Sequence, residues 1–152
     1  MTPPRLCIVL VLAAAGMLPT ADAVAQYALV NQYAVFDGSS YLSVPYSPAF
    51  NSGLSQGAEF SIDAWVYPTS FGGYPTVVGN DYTSGFWLGF NPSGLIRFYP
   101  SGAGYYESST AVPLNQWTHI AVSYAAGKGT IRFFINGALD ATITGVGVTI
   151  GS

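Results

Sequence analysis

Residues Trp117 to Gly137 read WTHIAVSYAAGKGTIRFFING. Ile120, Val122 and Tyr124 alternate with His119, Ala121 and Ser123. After the turn Gly127-Lys128-Gly129, Ile131, Phe133 and Ile135 alternate with Thr130, Arg132 and Phe134. A two-residue period sends successive side chains to opposite faces of an extended chain, so each run predicts a strand with one buried face. Asn136-Gly137 follows, the dipeptide that best tolerates positive φ at both centres of a tight hairpin turn. Leu139, Ala141 and Ile143 continue the alternation, which predicts a return strand and a second hairpin.

The same signal recurs upstream. From Glu59 to Tyr67, Phe60, Ile62, Ala64 and Val66 share one face, Ser61, Asp63, Trp65 and Tyr67 share the other, and Pro68 ends the run. Tyr33–Phe36 and Tyr41–Val44 read as short strands around Asp37-Gly38-Ser39-Ser40. Thr76–Gly79 is another short strand. Phe86–Phe90 and Leu95–Tyr99 form a hairpin around the turn formers Asn91-Pro92-Ser93-Gly94. Glu107–Ala111 and Val146–Ile150 complete the set. No segment beyond the N-terminal region keeps a helical period, and no internal repeat is present. Short strands separated by Gly, Pro and Asn turns predict an all-β, antiparallel two-sheet sandwich.

The spaced residues Trp117, His119, Ile120, Ala121, Phe133, Phe134, Asn136 and Gly137 resemble the second half of laminin-G-like or pentraxin-like jelly-roll domains. Those domains belong to the concanavalin A-like lectin/glucanase superfamily. The resemblance extends to Phe36-Asp37-Gly38 and to Phe60-Ser61-Ile62-Asp63-Ala64-Trp65-Val66, and covers roughly residues 33 to 151. It implies a jelly roll, a scaffold that hosts many functions. Domains of that family continue to a strand resembling Gly-x-Ile-Asp-Glu beside an N-terminal strand. Nothing after Val146–Ile150 matches it, so the resemblance implies a chain lacking its C-terminal end.

Residues 1–25 read as a cleaved leader. Arg5 is followed by the apolar run Leu6–Leu18, which is too short to span a bilayer, and Ala23-Val24-Ala25 fits a small-x-small cleavage site. Export and a mature domain over residues 26–152 follow as expectations. Cys7 leaves with the leader, so the mature chain has no disulfide. Arg97, Lys128 and Arg132 are its basic residues, too few to neutralise phosphates, so nucleic acid is not an expected partner. No later segment is long and apolar enough to anchor in a membrane. Aromatic residues make up 15% of the chain against 7% charged, a balance that suits a neutral ligand such as glycan as well as the filling of a sandwich core.

Chemistry narrows the functions further. Glycoside hydrolysis needs two carboxyl groups about 5–9.5 Å apart. Glu59 and Asp63 share a strand face, but four residues of strand separate them by about 13 Å. His119 and Ser123 are separated in the same way, so no nucleophile–base pair is expected and no catalytic residue is assigned. Calcium needs only oxygens. Asn80 and Asp81, in the loop after Thr76–Gly79, are its candidate ligands, with Asp37 and Asp140 weaker. Asp37-Gly38 and Asn80-Asp81 also fit plain turn-forming roles. Trp87, Tyr82, Tyr105, Tyr106 and Asp63 are candidate ligand contacts, with Tyr74 beside them. Trp65 and Trp117 are expected to be packed. The expected function is non-catalytic binding of carbohydrate, with possible calcium assistance. The alternatives are a protein-binding adhesion module and an accessory domain of a larger secreted glycoside hydrolase.

Overall fold

The computed structural model describes residues 6–9, 33–45, 59–80, 85–100, 104–125 and 128–147. Within them the chain forms ten strands: β1 (Leu6–Val9), β2 (Ala34–Phe36), β3 (Phe60–Pro68), β4 (Thr76–Gly79), β5 (Phe86–Phe90), β6 (Leu95–Pro100), β7 (Tyr106–Ala111), β8 (Thr118–Ala125), β9 (Thr130–Ile135) and β10 (Ala138–Ile143). They make two sheets, one of six strands in the order β10-β9-β8-β3-β1-β2 and one of four in the order β4-β5-β6-β7. Every pairing is antiparallel. The sandwich expected from alternation is present.

The core lies between the sheets and is built from the inward phase of each strand. Ala64 and Val66 of β3, Ile120 and Val122 of β8, and Ile131 and Phe133 of β9 meet Leu88 and Phe90 of β5 and Ile96 and Phe98 of β6, all fully buried. Phe60 joins the layers at one end, its ring 6.5 Å from Phe86, 6.0 Å from Phe98 and 5.6 Å from Tyr124. Edge-on and tilted ring contacts at these spacings add to area burial.

A polar bond also ties the sheets. β10 carries a bulge between Leu139 and Ala141, and a bulge re-aims the side chain it contains. Asp140 sits there, and its Oδ2 accepts the backbone N–H groups of Ser109 and Thr110 in β7, at 2.6 and 3.2 Å. The Asn136-Gly137 turn behaves as its sequence requires, with φ of 50° and 78°. The Asn136 side chain also reaches back to β8, where its Oδ1 accepts the His119 N–H at 2.9 Å. Its own N–H donates to the His119 carbonyl at 2.7 Å.

Two expected strands differ. Tyr41–Val44 forms no strand, and Tyr41, Leu42 and Val44 are exposed. Among the described residues β2 is the sheet edge and this segment has no strand partner, and strand propensity counts only when a neighbouring strand packs against it. Val146 is buried without being in a strand, its N–H bonded to the Gly129 carbonyl, and residues 148–150 lie outside the described set. Leu6–Val9, read as leader, is paired between β2 and β3.

Candidate functional site

The outer face of the four-stranded sheet gathers aromatic and charged side chains in two rows. Gly79, Trp87 and Tyr99 face one another across β4, β5 and β6, and Thr76, Gly89, Arg97 and Glu107 form the next row. Trp87 is held in place from two directions. Its Nε1–H donates to Thr76 Oγ1 at 2.8 Å, and its ring lies over Gly89, where a Cβ would overlap both that ring and the Pro75 carbonyl oxygen. Glycine is needed because the indole and the neighbouring backbone both approach this closely. The result is a half-buried indole fixed along the sheet.

Beside it, Arg97 is clasped on all sides. Its guanidinium pairs with Glu107 Oε1 at 2.7 Å, and the same oxygen accepts Asn91 Nδ2–H at 2.7 Å. Tyr105 stacks on it from one loop at 4.0 Å and Tyr74 from another at 5.0 Å, both rings 56% exposed. Burial opposes the Arg97 charge. The hydrogen bond and charge of Glu107, with a smaller contribution from Tyr74, more than offset it and hold the guanidinium above its ordinary pKa. Two exposed rings are thereby fixed by cation–π contact.

The outer face of the six-stranded sheet carries a different group. His119 Nε2 lies 3.0 Å from Asp63 Oδ2, and Trp65 packs on the imidazole at 5.4 Å. Trp117 bridges Tyr33 and Tyr67, each at 5.6 Å. Trp65 and Trp117, expected to be packed, are 44% and 37% exposed. Trp65 is on the outward phase of β3, and Trp117 lies immediately before β8. Ser123 is four residues from His119 along β8, about 13 Å, so it does not complete a nucleophilic set.

The residues singled out from the sequence are therefore distributed. Trp87 and Tyr105 share the four-stranded face. Tyr106 begins β7 on the inward phase and packs half-buried against the core. Asp63 lies on the opposite sheet beside His119. Tyr82 and Asp81 lie outside the described residues. Asn80 closes the end of the β4–β5 pair, its Oδ1 accepting the Phe86 N–H at 2.8 Å. Asp37 Oδ1 accepts the N–H and O–H of both Ser39 and Ser40 at 2.8–2.9 Å. The Ser39 amide first, then the Ser40 hydroxyl, hold that carboxyl far below the usual carboxylate range. Calcium takes six to eight oxygens. Among the described residues no group of three or more acidic, His or Cys side chains assembles, and Asp37, Asn80 and Asp140 have oxygens committed elsewhere. Arg97, Glu107 and Tyr99 were missed as site residues, and the outward phase of Leu95–Tyr99 is the signal that marks Arg97 and Tyr99.

Among known families, the chain matches over residues 36–152 a laminin-G model described as the concanavalin A-like lectin/glucanases superfamily. The chain belongs to that superfamily. No curated protein matches it.

Proposed function

We propose, from this membership, that the protein is an exported, non-catalytic ligand-binding module whose ligand is carbohydrate. The observation that carries this reading is the immobilised Trp87, lying over Gly89 beside Tyr99, with Tyr74 and Tyr105 fixed on Arg97 one row away. A sugar ring presents an apolar face to an aromatic platform and hydroxyls to its rim, and rings fixed in advance lose little entropy on binding. Arg97 and Glu107 hold the platform. Glu107 is the one carboxylate in β4–β7 and is occupied by Arg97 and Asn91, which supports binding over hydrolysis. The apolar run Leu6–Leu18 and Ala23-Val24-Ala25 support export. Calcium assistance is assigned to the Asn80–Asp81 loop.

The test is a glycan array followed by titration of the best oligosaccharide. Trp87→Ala is expected to weaken binding about tenfold, on the scale of one lost aromatic stacking contact, while Trp65→Ala leaves it unchanged. Equal binding by wild type and Trp87→Ala excludes this face. A second reading, a protein-binding adhesion module, is favoured by the ring series of exposed Tyr33 and Trp117 and half-buried Tyr67 on the other sheet. Protein binding lost in Trp117→Ala, with no glycan response, would select it.

A further inference from the structure

At the end of the six-stranded sheet beyond Trp65 and His119, three polar residues form one row across three strands. Ser61 of β3 pairs with Ser123 of β8, and Ser123 pairs with Arg132 of β9. All three are on the outward phase, since their neighbours Phe60, Ile62, Val122, Tyr124, Ile131 and Phe133 turn to the core. The row lines an open hollow of about 370 Å³ together with Glu59, Phe60, Tyr124 and Ala125. That volume accommodates a single small molecule.

Arg132 is the unusual member. Among the described residues the ion pairs are Arg97–Glu107 and His119–Asp63, so Arg132, a half-buried residue, makes no ion pair among them, and Glu59 is the carboxylate that lines the same hollow. A partly desolvated cation without a partner is costly, and an anion entering the cavity removes that cost. Lys128, in the turn joining β8 to β9, adds a second positive charge at this end of the sheet.

We propose that this cavity binds a small carboxylate bearing an adjacent hydroxyl, the chemistry shared by a uronic acid and a free α-hydroxy acid. The planar guanidinium takes the carboxylate through two parallel hydrogen bonds. The Ser61 and Ser123 hydroxyls donate to its remaining lone pairs, and Glu59 accepts the ligand's hydroxyl. This site is on the opposite sheet from Trp87 and does not rest on the glycan reading.

The test is calorimetric titration of the full chain with glucuronate, lactate and glucose, for wild type, Arg132→Gln and Ser123→Val, with circular dichroism to confirm folding. Binding of an acid that weakens about tenfold or more in Arg132→Gln is expected, because a charge-assisted pair is lost. Glucuronate binding without lactate assigns a uronic acid, and binding of both assigns the smaller hydroxy acid class. If Arg132→Gln does not fold, Ser123→Val obstructs the same row and is expected to show the same loss. The proposal is overturned if neither acid binds, if glucose binds as well as glucuronate, or if the folded variants bind as wild type does.

Discussion

Asn136 links the sequence motif to its physical purpose. Left-handed backbone at φ 50° disfavours most side chains, and the Asn136 oxygen also satisfies the His119 N–H. Asn136→Ala loses both benefits and is expected to cost about 1–2 kcal/mol in urea unfolding, with Asn136→Gly intermediate because it restores only the backbone freedom. A glycine variant as unstable as the alanine variant would place the whole effect in the hydrogen bond. Asp37 offers a pH test. Its carboxyl is held below its ordinary 3.8 in the folded chain. Its contribution is therefore complete above that value and is lost as pH falls through the lowered one. The Tm gap between wild type and Asp37→Ala should be constant from pH 7 to about 5 and narrow below 3.8; a gap unchanged down to pH 2 contradicts the assignment. Trp87 could be identified from its outward phase, but its hold by Thr76 and Gly89 could not, because those contacts come from the partner strand and from the ring's own position over it.

At the scale of elements, the bulge in β10 lets one carboxylate bind the opposite sheet. Asp140→Ala leaves the Ser109 and Thr110 amides without their acceptor and is expected to cost about 1 kcal/mol, solvent moderating the loss at this exposed position. Amide exchange should quicken at Ser109 and Thr110 first, and unchanged exchange there would show that water replaces the carboxylate without loss. β1 makes a second case. It is the sole described partner of β2, and it covers the Val66–Pro68 end of β3. A chain beginning at Gln26 lacks it, so its β2 amides and those of Val66 and Tyr67 should lose protection relative to the full chain. Equal protection in the two chains would mean that another segment takes the same place. Alternation located β3 and β5 to β10 to within two residues, because each has an inward apolar phase against the other sheet. It failed at Tyr41–Val44, where the pattern exists and no strand among the described residues pairs with it.

For the whole molecule, calcium linkage is the remaining global test. A site formed with the Asn80–Asp81 loop would raise Tm in calcium relative to chelator, since a ligand that binds only the folded state stabilises it. An equal Tm in the two conditions removes calcium from the proposed function. The sequence by itself determined the class of this protein. Period-two alternation, the Asn-Gly turn and the spaced Trp117–Gly137 residues specify an antiparallel sandwich of the laminin-G type, because burying one face of each strand is a local requirement written into every second residue. The tertiary structure decided which outward residues meet. Tyr74 and Tyr105 came together around Arg97 on the sheet that carries Trp87, Asp63 went to the opposite sheet with His119, and Arg132 aligned with Ser61 and Ser123. Those meetings depend on strand order and register, which are set by how two sheets close over a shared core and not by any one strand's own pattern.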